Sequence, residues 1–594
     1  MAFKVSPGVT VTEKDFTSII PAVSTTRAAG VTRADWGPEE YRVLVANETE
    51  LTSLYGKPTT DNYENWLNIA NYLSYGGSCV VARATTTDSM NAGFGGSGAL
   101  IKNQDVYDAG FSAGSALYSS AGDAVFFAKY PGSRGNSLRV AVVEGVGSSG
   151  GGTETGIEPT KGTSKAMGLT GVASGSSTIN ARTGGTGGQT ACVAGDILKI
   201  GNLTTKFTVT GVTHGATSKG STIGISPALP SAITNGMTAT WEFAYKSYVS
   251  RPYTSSNLDK LSGGTGDQFT ILVIDEDGDF TGVTGEVLEV YNGVSLAKDA
   301  RDGDGNSNFY VDIINQNSKY IVAGNSLVAM AGGGGSAANF SVNNGSGAGT
   351  IFGKVAKKYY SGISGAYGAT TSDTQYLTSY NLFSDPDTVD VSLILTGAAS
   401  PSLAGNVIDI ADARKDCVAF VSPEYSDVVN VTSLNTQVEN VKNYRNTQLN
   451  KSSSYAFMDS GWKYQYDRHN DQLRWVPLNG DMAGLCARTD NVNDPWFSPA
   501  GFNRGQIRGV VKLSMNPTPE AHRDDLYIDS INPVVAFPGE GTVLYGDKTL
   551  QSKASAFDRI NVRRLFIVME KAISTASKFQ LFEQNDAFTR SQFK

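Results

Sequence analysis

The longest amphipathic pattern in the sequence lies near the C-terminus, in residues 561–586. Apolar residues recur there at the spacing of an α-helix, after a favourable N-cap in Asn561: Val562, Leu565, Phe566, Met569, Ile573 and Ala576. This pattern predicts a helix that docks through its apolar face. Arg563 and Arg564 fall in the first turn, at the positive end of the helix dipole, so we expect acidic partners for them on other elements.

A strict alternation of apolar and polar residues marks the N-terminus. Residues 2–13 place one apolar set on a single face, which predicts a strand: Phe3, Val5, Val9 and Val11. Pro7 indicates an edge strand or a bent one. No obvious hairpin partner follows within the next dozen residues, so the strand either folds back on its own domain or pairs with another chain.

The two ends of the chain share an α/β pattern that the middle lacks. Strands and helices alternate in residues 25–82 and again in 385–458. Residues 145–245 are rich in Gly, Ser and Thr with short β-branched runs, which favours an inserted β domain that projects outward. We therefore predict a mixed α/β (α+β) multidomain fold, in which a discontinuous core domain carries β-rich insertions.

The predicted domain boundaries follow from these changes in pattern. They are residues 1–22 for an extended arm, 23–100 with 370–594 for the core domain, 101–152 with 246–369 for a middle α/β domain, and 153–245 for the small β domain.

Composition excludes several classes of function. The chain has 594 residues and a formal net charge of -8, with no basic run of the kind that binds nucleic acid. Its four cysteines are scattered without a CxxC pair, which suits a reducing compartment and neither a zinc site nor a disulfide framework. We find no signal-peptide pattern and no apolar run of the roughly 18 residues that a membrane span needs.

Candidate catalytic and metal-binding motifs are weak. Four acidic residues match the ligand spacing of a calcium loop: Asp275, Asp277, Asp279 and Glu286. Phe280 stands where that loop needs glycine, so an acidic hairpin turn is the favoured interpretation and calcium the alternative. Glycine-rich matches at 93–98 and 147–151 lack the strand-to-helix context of a dinucleotide site or a nucleophile elbow. We predict no catalytic residue, no metal and no cofactor.

A series of short motifs follows in order along nearly the whole chain. They are residues 6–9 (SPGV), 36–38 (WGP), 55–58 (YGKP), 75–84 (YGGSCVVARA), 131–138 (PGSRGNSL), 275–278 (DEDG), 286–289 (EVLE), 481–484 (DMAG), 500–501 (AG), 531–533 (INP), 545–550 (YGDKTL) and 560–564 (INVRR). In this order the motifs resemble the tail sheath proteins of contractile-tailed bacteriophages. Residues 145–245 lie outside the resemblance.

The resemblance implies a structural protein and no enzyme. Its subunits would form hexameric rings stacked helically around an inner tail tube, and would contract to drive that tube through the host envelope. The implied partners are further copies of the chain, the inner tail tube protein, and the baseplate and tail terminator proteins, without direct nucleic-acid contact or membrane insertion. The implied location is the virion tail, after assembly in the host cytoplasm.

The resemblance also implies that terminal arms add strands to sheets of neighbouring subunits. That gives the N-terminal strand a role at a subunit interface through Phe3, Val5, Ser6, Pro7, Gly8, Val9 and Val11. For Arg563 and Arg564 an inter-subunit ion pair is one expectation and an internal pairing is the other. Relatives of this kind usually continue past residues 582–586 with a C-terminal arm, so we expect either a truncated chain that assembles poorly or a lattice closed in another way.

Two alternative functions stay open at this point. One is the sheath of a phage-derived contractile injection system. The other is a virion hydrolase that uses carboxylates such as Asp275 and Asp277. A hydrolase would need those side chains in a pocket with raised pKa values, whereas an acidic turn on a hairpin is expected to be solvated.

Overall fold

The computed structural model describes residues 25–84, 88–112, 124–144, 165–180, 195–214, 221–249, 267–297, 300–324, 358–368 and 371–593. Its helices are Glu48–Tyr55 (α1), Tyr63–Leu73 (α2), Gln104–Ser112 (α3), Tyr310–Asn317 (α4), Asp373–Asn381 (α5), Pro401–Arg414 (α6), Tyr425–Val428 (α7), Leu434–Asn443 (α8), Asn479–Val492 (α9), Glu520–Ile528 (α10), Ile560–Lys578 (α11) and Ala587–Phe593 (α12). A π-helical segment, Tyr444–Leu449, continues α8.

The strands, in chain order, are Arg27–Thr32 (β1), Arg42–Val45 (β2), Ser78–Arg83 (β3), Gly93–Phe94 (β4), Phe126–Ala128 (β5), Leu138–Glu144 (β6), Lys165–Gly168 (β7), Thr178–Asn180 (β8), Ile197–Ile200 (β9), Lys206–His214 (β10), Ser221–Ser226 (β11), Thr238–Glu242 (β12), Gln268–Asp275 (β13), Glu286–Ser295 (β14), Ile321–Ala323 (β15), Lys358–Ile363 (β16), Leu393–Leu395 (β17), Val418–Val421 (β18), Ala456–Met458 (β19), Trp462–Asp467 (β20), Gln472–Pro477 (β21), Lys512–Leu513 (β22), Val534–Phe537 (β23) and Gly541–Leu544 (β24). Short 3-10 segments occur at Ser133–Ser137, Lys246–Tyr248 and Ala556–Asp558.

The chain divides into two compact units. Unit 1 comprises Met1–Ala34, Glu40–Thr85 and Thr370–Lys594, and unit 2 comprises Asp35–Glu39 and Thr86–Ala369. The mixed α/β multidomain class expected from the sequence is confirmed. The finer domain boundaries stay a prediction.

Unit 1 is built on a six-stranded sheet with the order β19-β18-β17-β1-β3-β2. All strand pairs in it are parallel except the edge pair of β2 with β3. Alternate residues of a strand face opposite sides, so Phe420 of β18 contributes to one apolar layer and Val421 to the other. Helices α5, α6 and α8 supply one layer, and α2, α9 and α11 supply the other. A parallel sheet covered on both faces explains why its strands read as continuous apolar runs.

Strand order in this sheet reverses between β1 and β17. From β1 the chain leads to β3 and β2 on one side, and from β17 it leads to β18 and β19 on the other. In open α/β sheets such a reversal leaves a crevice outside the carboxyl ends of the two strands, where ligands usually bind. The residues at this position are therefore the first place to look for a functional site.

The described residues of unit 2 form two antiparallel sheets. One has seven strands in the order β14-β13-β6-β16-β4-β5-β15. The other has six strands in the order β7-β12-β9-β10-β11-β8 and a core of its own that includes Leu198, Phe207 and Ile223. The short strands predicted within residues 145–245 are among them, so the β-branched runs in that glycine-rich stretch were a reliable signal.

Among the residues that the structure describes, none of the helices combines the length and the apolar character that crossing a membrane requires.

Candidate functional site

Helix α11 is present, but it begins at Ile560, with Arg559 rather than Asn561 at the N-cap, and ends at Lys578. It also turns the unexpected face to its own unit. The buried side chains are Ile560, Arg563, Arg564 and Ile567. Phe566, Met569 and Ile573, predicted to be buried, are 38%, 46% and 51% exposed. The prediction of the docking face was wrong, because the two arginines find partners inside the unit. We call Phe566, Met569 and Ile573 the outer stripe.

Arg564 is neutralised by an aspartate from α9. Its Nη2 lies 2.5 Å from Oδ2 of Asp490, and the two side chains are 5% and 3% exposed. Burial alone would lower the pKa of Arg564, but Cys486 and Asp490 outweigh it and raise that pKa. Arg564 therefore has the acidic partner that its place in the first turns of the helix requires.

Arg563 is held by hydroxyl groups and aromatic rings. Its guanidinium donates to Ser454 Oγ at 2.8 Å and to Tyr455 OH at 3.1 Å. The guanidinium carbon lies 4.2 Å from the ring centroid of Tyr455 and 4.0 Å from that of Phe557. Such stacking stabilises a cation whose face is desolvated. An inter-subunit role for Arg563 and Arg564 stays a prediction, as both have partners within the chain.

The outer stripe leaves a large apolar surface in solvent. Phe579, Leu581 and Phe582, which follow α11, are also exposed. Contiguous exposed apolar surface usually marks a site of protein–protein interaction. The residues of the predicted N-terminal strand lie outside the described part of the chain: Phe3, Val5, Ser6, Pro7, Gly8, Val9 and Val11.

Asparagine side chains fill the crevice at the strand reversal. Asn479 Oδ1 accepts from the Gly397 N–H at 3.1 Å and from Asn68 Nδ2 at 2.6 Å. Its Nδ2 donates to the Gly397 carbonyl at 2.8 Å, while Asn65 Oδ1 accepts from the Ala398 N–H at 2.8 Å. The protein's own side chains thus occupy the position where a ligand would lie in an open α/β sheet. Sequence reasoning missed this network, which joins residues far apart in the chain.

Two buried carboxylates lie close to the asparagine network. Ser422, whose Oγ also accepts from Asn479 Nδ2 at 3.0 Å, donates to Asp459 Oδ2 at 2.6 Å. Asp481 pairs with Lys463 Nζ at 2.8 Å and accepts from Tyr75 OH at 3.0 Å. Burial raises the pKa of Asp459 to about 8. These groups are enclosed, so their bonds stabilise the junction of sheet and helices.

The carboxylate of Asp275 stabilises the acidic turn by accepting hydrogen bonds from its backbone. Oδ2 of Asp275 accepts from the N–H groups of Phe280 and Thr281 at 3.0 and 2.8 Å. Its Oδ1 accepts from the Gly278 N–H and from Ser137 Oγ. The turn joins β13 to β14, as the hairpin interpretation predicted. Within the described residues, no group of three or more His, Cys, Asp or Glu side chains is arranged to hold a metal ion.

A family model matches the region that contains strands β17 to β24 and the C-terminal members of these networks. Residues 385–550 match the phage tail sheath protein central domain. This region of the chain is therefore similar to a sheath central domain. The resemblance drawn from the sequence motifs is thereby confirmed.

Curated tail sheath proteins align with the chain to different extents. The chain is 49% identical over 256 residues to that of Vibrio phage KVP40 and 44% identical over 254 residues to that of Enterobacteria phage T4. These alignments cover 39% and 40% of the chain, and each spans 38% of the relative. The tail sheath protein of Salmonella phage ViI is 27% identical over 602 residues, covering 100% of the chain and 87% of that protein.

Solved structures of sheath proteins are more distant. A sheath tail protein from Listeria innocua superposes with a TM-score of 0.47 and 8% identity, over 97% of this chain and 84% of its own. The contracted PVC sheath of an extracellular contractile injection system gives a TM-score of 0.30 and 21% identity, over 38% and 57%.

Proposed function

We propose that the chain is a structural subunit of a contractile phage tail, which polymerises as stacked rings around the tail tube and contracts to drive the tube through the host envelope. The observation that carries this proposal is the match of residues 385–550 to the sheath central domain, together with tail sheath relatives that are 49% and 44% identical. The proposed partners are further copies of the chain, the inner tail tube protein, the baseplate and the tail terminator. The proposed location is the virion tail, after assembly in the host cytoplasm.

The outer stripe of α11 supports an assembling protein. Its three large apolar side chains gain free energy when a neighbour covers them, at about 25 cal/mol for each Å² of apolar surface removed from water. A helix that packs on its own unit through Arg563 and Arg564 is free to offer this stripe to a partner. We propose that the stripe lies in the contact between the sheath core and an adjacent subunit.

Two edge strands of unit 1 suit the proposed exchange of terminal arms. β2 ends the six-stranded sheet, and β21 ends the three-stranded sheet β21-β20-β22. An open edge offers unpaired backbone groups to an incoming strand. The sheet of β21 also shows an exposed apolar pair, Tyr466 and Leu473. We propose that the N-terminal strand of a neighbouring subunit, with Phe3, Val5, Val9 and Val11 on one face, adds to one of these edges.

A structural role is favoured over an enzymatic one by two contacts. Asn479 fills the crevice in which an α/β enzyme would hold its ligand. Asp275, a carboxylate that the hydrolase alternative would use, already accepts five hydrogen bonds from backbone and hydroxyl donors. The crevice is therefore closed to a ligand, and Asp275 is not free to do acid–base work on a substrate.

Electron microscopy of the purified full chain tests the proposal. We expect tubes or stacked rings with sixfold cross-sections, and sedimentation velocity should show large particles whose fraction rises with protein concentration. Adding the cognate tube protein should shorten the lag before assembly. A chain that stays monomeric at every concentration, with and without tube protein, would overturn the proposed self-assembly of this chain.

A further inference from the structure

The packing face of α11 continues beyond the part that its unit buries. Ile560, Arg563, Arg564 and Ile567 are the buried residues of the helix, and all of them lie in its first half. The same helical spacing, in steps of three and four residues, runs on through the second half. The residues that continue this face, each at least partly exposed, are Glu570, Lys571, Ser574, Thr575 and Lys578. Half of one packing face is therefore left uncovered by the described residues.

A crevice of about 630 Å³ lies between this second half of α11 and the sheet of unit 1. Its other walls include Arg27 at the start of β1, Asp390 ahead of β17 and Asp416 ahead of β18. These three strands are parallel, so the crevice lies at the amino edge of the sheet. The asparagine network closes the carboxyl edge, whereas the described residues leave the amino edge open beneath α11.

Charges of both signs line the crevice in nearly equal number, with five basic and four acidic side chains. Some of them pair with one another: Lys571 with Asp390 at 2.9 Å, and Arg414 with Asp416 at 2.8 Å. A small anion would be repelled by the carboxylates and a small cation by the basic groups, so neither suits the crevice. An uncharged stretch of polypeptide does suit it, because backbone N–H groups can donate to the carboxylates and backbone carbonyls can accept from the cations.

An uncharged stretch of the chain itself leads to the crevice. Arg27 of its wall is the first residue of β1, and the carbonyl of Thr26 beside it accepts from Tyr72 OH at 2.5 Å. Residues 16–24, which precede this point and lie outside the described part of the chain, contain no charged side chain. Fully extended they reach about 30 Å at about 3.3 Å per residue, whereas residues 568–578 of α11 extend about 16 Å at about 1.5 Å per residue. The segment is therefore long enough to follow the whole uncovered face.

We propose that residues 16–24 occupy this crevice in their own subunit, with their backbone hydrogen-bonded to its charged walls. The predicted N-terminal strand, residues 2–13, would then leave the subunit from beneath α11. One helix would hold the base of that strand on one face and present the outer stripe on another. This placement goes beyond the proposed function, because it concerns a single subunit before any polymerisation.

Disulfide trapping in the full chain tests the placement, at concentrations where sedimentation velocity shows single subunits. Ser574→Cys, inside the crevice, is combined in turn with Ile19→Cys, Ile20→Cys and Ala22→Cys. The matched control uses Ala576→Cys, which lies outside the crevice, about 160° around the helix from Ser574. On mild oxidation we expect an intramolecular disulfide for at least one pair with Ser574→Cys, since a disulfide needs Cα atoms within about 7 Å of each other. The control pairs should stay at the wild-type level.

Wild-type chain treated alike measures any contribution of the native thiols, of which Cys79, Cys417 and Cys486 are buried. Failure to trap any of the three pairs, or equal trapping with Ala576→Cys, would overturn the placement. A disulfide that joins two chains, seen as a dimer on a non-reducing gel, would overturn its assignment to the same subunit.

Filling the crevice gives a second test. Ser574→Trp puts a large side chain into the crevice, and Ala576→Trp puts the same side chain on another face of α11. Elastase, which cleaves after small apolar residues such as Ala22 and Val23, measures access to the segment. We expect Ser574→Trp to speed cleavage within residues 16–24 at least about tenfold, because cleavage follows the population of the undocked segment. Ala576→Trp and wild type should be cleaved at the same slow rate.

Urea denaturation confirms that both tryptophan variants are folded. Equal cleavage rates in the three folded proteins would overturn the placement. The outcomes are independent of polymerisation. A chain that is trapped as expected but never forms tubes would overturn the proposed self-assembly and keep this placement, whereas a chain that forms tubes but cannot be trapped would overturn this placement alone.

Discussion

Arg564 of α11 and Asp490 of α9 form a buried ion pair that decides which face of the C-terminal helix meets its unit. With Arg563 stacked on Tyr455 and Phe557 beside it, the polar face of α11 turns inward. The apolar outer stripe is left to solvent as a consequence. A helix that would otherwise complete a core becomes a surface available for assembly.

Breaking this pair should destabilise unit 1 strongly. Arg564→Ala leaves Asp490 as an uncompensated buried charge, so we expect a loss of about 3–5 kcal/mol in the free energy of unfolding. Urea denaturation measures it. The control is Lys451→Ala, which removes the half-exposed partner of Asp409 and should cost at most about 1 kcal/mol. Equal effects of the two substitutions would contradict the role assigned to Arg564.

Helices and their ends could be predicted because their signals are local. Asn47 caps α1 by accepting from the Glu50 N–H at 2.9 Å, and Gly56 ends that helix; both are residue types that favour these positions. The direction in which α11 faces could not be predicted, because Asp490 lies 74 residues away in the chain. An apolar stripe on a helix predicts that the stripe is buried. The sequence does not say whether it packs against the same chain or against another chain.

The filled crevice was also beyond sequence reasoning. Asn68 and Asn479 are separated by 411 positions and meet only because the sheet brings both ends of the chain together. Local patterns predicted that the ends share a domain, since both alternate strands and helices. These local patterns carried no information on which polar side chains meet inside the shared domain.

The strand reversal should tolerate no side chain at Gly397. This glycine has φ +64, and an added Cβ would lie 2.1 Å from Asn65 Oδ1. Gly397→Ala therefore combines an unfavourable backbone conformation with a clash, and we expect a loss of about 2–4 kcal/mol in the free energy of unfolding. The control is Gly405→Ala inside α6, where the nearest neighbour is a lysine side-chain carbon at 3.4 Å. That substitution should stabilise by about 0.5–1 kcal/mol.

The stability of unit 1 should fall as pH rises towards 8 because of Asp459. Burial raises the pKa of its carboxyl from 3.8 to about 8. Between these values the folded state holds a proton that the unfolded state releases, so each added pH unit lowers the free energy of unfolding by up to about 1.4 kcal/mol. The side chain of the Asp459→Asn variant cannot titrate, so the free energy of unfolding of that variant lacks this dependence on pH.

Urea denaturation from pH 5 to pH 8 measures the difference between wild type and Asp459→Asn. The stability of wild type relative to the variant should drop by about 2–4 kcal/mol over this range. Asp427, whose raised pKa of about 6 acts in the same direction, is present in both proteins and cancels in the difference. Parallel stability curves would show that Asp459 has an ordinary pKa.

Charges placed on the outer stripe should abolish assembly and leave the fold intact. Met569 and Ile573 are 46% and 51% exposed in the single chain, so Met569→Lys with Ile573→Lys should change the free energy of unfolding by about 0.5 kcal/mol or less per site. In an assembled contact the same two charges would be desolvated without partners, which costs several kcal/mol. We therefore expect normal urea denaturation together with monomers in sedimentation velocity at concentrations where wild type forms tubes. The control is Ile528→Lys at the exposed end of α10, which should assemble normally. Tubes formed by the double variant at the wild-type concentration would remove the outer stripe from the subunit contact, and the exposed face of α11 would then need another explanation.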